Sequence, residues 1–153
     1  MNRRKSIAHL LGWGLCAAVV LPLAHAIERG TADSALAYVS GGIGESEQAA
    51  LSAEKGRYSF WLTTAAKGSG AYLASVEVRI LNARTRQSVL EHTMDGPWLF
   101  AALPAGRYEV EASFRESAGQ PAQTLKKALT IRTGALRHIF LYFNTSDEVG
   151  SEK

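Results

Sequence analysis

Cysteine occurs once in the 153 residues, at Cys16. A single thiol excludes a disulfide framework and a thiolate zinc site, and it offers no cysteine nucleophile once the leader described below is removed. Histidine is almost as scarce. Of four, only His92 and His138 lie beyond residue 26, far apart and without the HxH or HxxxH spacing that brings two imidazoles to one ion. Neither a metal nor a cofactor is therefore expected. No GxSxG elbow and no Walker-type Lys-Ser/Thr is present, which removes the usual signatures of a serine hydrolase and of a nucleotide-binding loop. Internal repeats and coiled-coil heptads are also missing.

An excess of one charge is missing too, although the totals suggest otherwise. The chain has 17 Lys and Arg against 14 Asp and Glu, but Arg3, Arg4 and Lys5 stand at its start and every acidic residue follows residue 26. Beyond residue 26 the basic residues equal the acidic ones, fourteen of each. With no net charge left, neither nucleic acid nor an anionic membrane surface is an expected partner.

The first 26 residues read as a signal peptide. Asn2-Arg3-Arg4-Lys5 is a basic start, Ile7 to Leu23 is apolar apart from His9, and Ala24-His25-Ala26 supplies an A-x-A cleavage site. The apolar core from Leu10 to Ala24 falls short of the ~20 residues that span a bilayer. Leu15 stands before Cys16 where a lipoprotein signal needs a small residue. Cleavage after Ala26 is expected, with the product periplasmic or secreted and the membrane met only transiently during export. Residues 27–36 and 145–153 are polar and small, and are expected to be flexible ends. Residues 37–144 suit one domain.

What the chain has in quantity is period-two alternation. Tyr58 to Thr64 begins it, and Ser75-Val76-Glu77-Val78-Arg79-Ile80 is the cleanest example, with Val76, Val78 and Ile80 on one face. Ser88 to Met94, Trp98 to Leu103, Tyr108 to Phe114, Leu125 to Ile131, Arg137 to Phe143 and a short segment near Leu36 to Val39 follow the same pattern. The expected fold is an all-β sandwich of about seven or eight strands. Residues 45–55, rich in Glu, Gln and Ala, break the pattern and predict one short helix, with Glu45 and Glu47 at its positive end and Gly56 after it.

Between strands, Asp95-Gly96-Pro97 cannot continue a ladder. Leu103-Pro104-Ala105-Gly106 is a second turn signal, with Gly106 expected at a positive-φ position. Asp95-Gly96, an aromatic strand and then Leu103-Pro104-Ala105-Gly106-Arg107-Tyr108-Glu109-Val110 resemble the LPxGxYxV hairpin of carboxypeptidase regulatory-like domains. Tyr38 to Glu45 and Gly70 to Val76 resemble segments of small exported proteobacterial proteins assigned to that group. The resemblance covers roughly residues 38–143 and implies a transthyretin-like seven-stranded sandwich. Enzymes of the wider transthyretin-like family, the hydroxyisourate hydrolases, end in Tyr-Arg-Gly-Ser, which this chain lacks, so their activity is not carried over.

Two groups of residues stand out as binding candidates. Gly41 and Gly42, in Ser40-Gly41-Gly42-Ile43-Gly44 ahead of the helix, offer backbone donors that can cradle an anion, although Glu45 and Glu47 would repel one. Trp61, Phe140 and Tyr142 lie out of phase with the aliphatic residues of their own strands, as aromatics on an outer contact face do. Trp98 and Phe100 are assigned to the core. The sequence thus points to a non-enzymatic, exported interaction module of the cell envelope, contacting a protein partner or an extended ligand. A carbohydrate or cell-wall accessory domain is the alternative, and requires Trp61 and Tyr142 to form a coplanar exposed platform. A cryptic hydrolase ranks last and requires His92 or His138 beside a carboxylate in a pocket.

Overall fold

A computed structural model describes residues 27–32 and 35–146. The expected leader and the end of the chain from residue 147 lie outside the described residues. In chain order the elements are β1 (Glu28–Thr31), β2 (Ala37–Gly41), α1 (Gly44–Glu54) with a following 3-10 turn (Lys55–Arg57), β3 (Phe60–Ala66), β4 (Glu77–Asn82), β5 (Ser88–Thr93), β6 (Trp98–Ala101), β7 (Gly106–Phe114), β8 (Gln123–Ile131) and β9 (Arg137–Phe143). The fold is an all-β sandwich with one short helix, and it has nine strands among the described residues.

Two sheets form the layers. The first has the order β1-β2-β6-β3-β9 and the second β5-β4-β7-β8. All neighbours are antiparallel except β3 and β9, which run parallel from Phe60↔Arg137 to Ala66↔Phe143. Alternation decides which side chains meet between the layers. Phe60 and Leu62 of β3, Val78 and Ile80 of β4, Tyr108, Val110 and Ala112 of β7, and Ile139, Leu141 and Phe143 of β9 make one buried cluster. The outer face of the second sheet is polar, where Arg79 meets Glu91 and Glu111 at 3.3 and 3.9 Å and Arg86 meets Glu109 at 3.1 Å.

Three sequence expectations change. Residues 28–31, placed by sequence in a flexible end, form β1, which pairs with β2 from Glu28↔Ser40 to Thr31↔Ala37. At the other end, Thr145 is buried and Ser146 donates from its backbone and hydroxyl to Glu116, so the expected loose tail is held at its start. The LPxGxYxV segment is not a hairpin. β6 pairs with β2 and β3 in one sheet, β7 with β4 and β8 in the other, and residues 102–105 cross between layers.

That crossover is pinned from both sides. The Tyr108 hydroxyl donates back to the Pro104 carbonyl at 2.9 Å, and the Ser59 hydroxyl donates to the Leu103 carbonyl at 2.6 Å. Gly106 is not among the positive-φ residues. A β-carbon there would meet the Tyr108 ring at 3.4 Å, an ordinary contact. The turn is therefore held by the tyrosine hydroxyl rather than by glycine's conformational freedom.

The crossover into β6 is also tight. Met94 to Pro97 carry the chain from β5 in the second sheet to β6 in the first, with the Asp95 N–H donating to the Ser40 hydroxyl at 3.0 Å. Here Gly96 lies directly against the Gly41 carbonyl.

Candidate functional site

Strand register lays the outer face of the five-stranded sheet out in rows. One row runs Val39, Phe100, Trp61, His138 and the next Gly41, Trp98, Thr63, Phe140. A third is Tyr72, Ala65, Tyr142, completed by an isolated bridge between Ala65 and Tyr72. Cross-strand neighbours on one face are close enough for aromatic rings to touch. Tertiary pairing of β3 with β9 thus brings Trp61, Phe140 and Tyr142 to one face.

Helix α1 covers the first half of these rows. Leu51, the one fully buried residue of the helix, packs with Val39, Trp98 and Phe100 in a second small core, joined by Ile27, Tyr58 and Trp61. Trp98 and Phe100 are buried as expected, but beneath the helix. Leu99 and Ala101, between and after them, face the main core.

Trp61 sits where the covered half meets the open half. One ring face stacks on His138 at 3.6 Å and 2°. The ring is also stacked on Phe100 at 5.0 Å and 22°, with the edge of Trp98 at 5.1 Å. The side chain is half-buried and has neighbouring rings on its faces, so it is a supporting member of the face and leaves no indole plane for a sugar.

Beyond it the rings emerge. His138 is followed by Phe140 at 4.4 Å and 41°, and Phe140 by Tyr142 at 6.0 Å and 10°. Phe140 and Tyr142 are 43% and 51% exposed, and Tyr72 in the third row is 52% exposed. The Phe140 and Tyr142 rings stack on each other along β9, as parallel fins rather than a flat platform.

Among the described residues β9 is also the edge strand of its sheet. The Arg137 N–H donates to Ser59 and the Phe143 carbonyl accepts from Lys67 N–H, so the odd-numbered residues of β9 face β3. By strand alternation the N–H and C=O groups of His138, Phe140 and Tyr142 point to the free edge. The same three residues supply the outward side chains.

The glycine segment is closed. Glu47 of α1 turns back so that its Oε2 accepts from the Gly42 and Ile43 N–H groups, both at 3.0 Å, and Gln48 Nε2 donates to the Gly42 carbonyl at 2.9 Å. Gly42, at φ +96°, lies against the Trp98 ring. Of the donors offered to an anion in the sequence reading, the Gly42 N–H is thus occupied by the helix's own carboxylate, a form of N-terminal capping. Gly42 serves the turn into the helix.

Sequence spacing missed a third group. Glu28 of β1, His92 of β5 and Asp95 of the β5–β6 crossover converge at the side of the sandwich, with one ligand atom of each within 4.8 Å of the others. No motif signals it, because its members are distant in sequence and meet only when β1 and β5 close the same side. Burial pushes the His92 imidazole below its ordinary range against the opposing pull of Asp95. A hydrogen bond with Asp95 and then desolvation raise the Glu28 carboxyl. A histidine beside a carboxylate is part of what the hydrolase alternative required. The Asp95 and Glu28 carboxylates lie 3.4 and 3.8 Å from Nε2, and no hydroxyl nucleophile is hydrogen-bonded to it among the described residues.

His138 is held differently. Its Nε2 shares a 2.9 Å hydrogen bond with the Thr63 hydroxyl, which is buried at 1% exposure and out of reach of a substrate. Desolvation lowers the His138 pKa from 6.5. A depressed histidine binds its proton more readily in the unfolded chain, so its contribution is fully present above about pH 6.5 and is lost as pH falls below it. Melting temperature is expected to drop between pH 7.5 and 5.5, and His138→Gln should flatten part of that drop. His92, shifted the same way, leaves a remainder. An unchanged pH profile in His138→Gln would contradict the neutral, stacked imidazole.

Comparison with protein-family models, with curated proteins and with solved structures finds no match.

Proposed function

We propose that this chain is an exported, non-enzymatic binding module whose contact surface is the open half of the aromatic face and the free edge of β9. The observation that carries this reading is the coincidence of two features on the same residues. Phe140 and Tyr142 are exposed, mutually stacked rings, and their backbone groups face the edge where no described strand follows β9. An extended polypeptide of an envelope partner suits such a place, because main-chain hydrogen bonds along the edge provide affinity and the raised rings provide pockets for alternate side chains. The polar opposite face offers solvated ion pairs, which contribute little to recognition. Support for export comes from the arrangement of residues 1–26. The carbohydrate alternative loses its main support because Trp61 is stacked on both sides.

The double variant Phe140→Ala/Tyr142→Ala tests this reading. Both residues are about half-exposed, so its melting temperature should stay close to that of the parent, within the about ±0.5 kcal/mol typical of surface substitutions. A partner crosslinked to the parent in envelope extract should be lost. Capture of the same partner by a folded double variant would exclude this surface.

A further inference from the structure

We propose that Glu28, His92 and Asp95 form a site for a divalent cation of the zinc class, which ties the two sheets together at the side of the sandwich closed by β1 and β5. Two exposed carboxylates alone would not make a site. The second observation is His92: its side chain is only 8% exposed, and its buried Nε2 has no hydrogen-bond partner among the described residues. An imidazole nitrogen so placed, facing a pair of carboxylates, is an unsatisfied polar atom at which a cation provides the missing partner. Its Tyr38 neighbour, with ring centroids 4.8 Å apart, holds the ring without supplying an acceptor or donor to that nitrogen.

The spacing fits a tetrahedral ion. Ligands about 2.0–2.1 Å from zinc at tetrahedral angles stand about 3.3 Å from one another. His92 Nε2 lies 3.4 Å from Asp95 Oδ2 and 3.8 Å from Glu28 Oε2, so small rotamer adjustments of the exposed carboxylates close the set. One imidazole and two carboxylates neutralise a divalent charge and leave a fourth position for water. Calcium and magnesium prefer larger all-oxygen sets, which this group does not provide. Asp95 is already positioned by its N–H bond to Ser40, and Glu28 is held by the pairing of β1 with β2. The ligands thus come from β1 of one sheet, β5 of the other and the crossover between them. A bound ion would anchor the four-residue β1, which among the described residues has only β2 beside it in the sheet.

The test is calorimetric titration of the chelator-stripped protein, as recovered from cells, with Zn2+, followed by thermal melts with Zn2+, Ca2+ or Mg2+. One equivalent of Zn2+ should bind and raise the melting temperature, and Ca2+ or Mg2+ at the same concentration should do neither. Glu28→Gln and Asp95→Asn should each weaken Zn2+ binding by about tenfold or more. His92→Gln should abolish it. If His92→Gln fails to fold, the two carboxylate variants decide the matter, since both side chains are at the surface. Absence of saturable binding, or one-equivalent binding unchanged in Glu28→Gln, overturns the site.

Discussion

Trp61→Ala should lower the stability of the fold by about 3 kcal/mol and its melting temperature by roughly 10 °C. The indole fills the seam between the second core and the open aromatic row, touching Phe100 and Trp98 on one side and His138 on the other. Its removal uncovers Phe100 beneath the helix and takes the stacking partner from His138. Two effects keep the loss at the low end of the range for buried aromatics. The side chain is only half-buried, and its Nε1 has no hydrogen-bond partner among the described residues, so truncation also relieves an unsatisfied donor. Trp61→Phe should therefore be much milder, because it keeps a ring in the stack and deletes that donor. Thermal denaturation of both variants, beside Phe140→Ala as an exposed reference, checks the assignment. A Trp61→Ala protein that melts with the parent would show that the helix and the aromatic rows do not pack as described, and would return Trp61 to the contact surface.

Gly96→Val should cost about 3 kcal/mol, comparable to the loss of a buried aromatic. Any side chain at residue 96 places its first carbon against the Gly41 carbonyl. Backbone cannot rotate aside as a flexible side chain can, and Gly41 is held in the β2–β6 ladder opposite Trp98. The crossover would have to move as a unit, pulling Asp95 from Ser40. Gly106→Ala is the matched control. It is also a glycine at a crossover, but a β-carbon there makes only ordinary contact with Tyr108, and its stability should change little. Equal losses at the two positions would contradict the distinction between a close backbone approach and an unstrained turn.

Much of the local structure was legible because strand alternation is a property of neighbouring residues. The inward sets Val78 and Ile80, Tyr108 to Ala112, and Ile139 to Phe143 follow directly from period two, as does the outward placement of Trp61, Phe140 and Tyr142. The helix was legible from the run of Glu, Gln and Ala. β1 was not, because Glu-Arg-Gly-Thr carries no apolar alternation, and its strand conformation comes from hydrogen bonding to β2. The assignment of Gly106 to a positive φ failed for a related reason. A turn signal in sequence marks where the chain bends, and the Tyr108 hydroxyl decides how.

The sequence by itself determined most of the strands, β1 excepted, together with which face of each is apolar and where the chain turns, since steric and solvent preferences act over a few residues. Only the tertiary structure decided which strands are neighbours. Parallel pairing of β3 with β9 assembled the aromatic row, and insertion of β6 between β2 and β3 made the LPxGxYxV segment a crossover. The helix turned Trp98 and Phe100 into a second core, and closure of β1 and β5 on one side brought Glu28 and Asp95 to His92. Periodicity tells a strand which of its faces to bury, but pairing depends on long-range closure and on the joint packing of both layers, which no local pattern encodes.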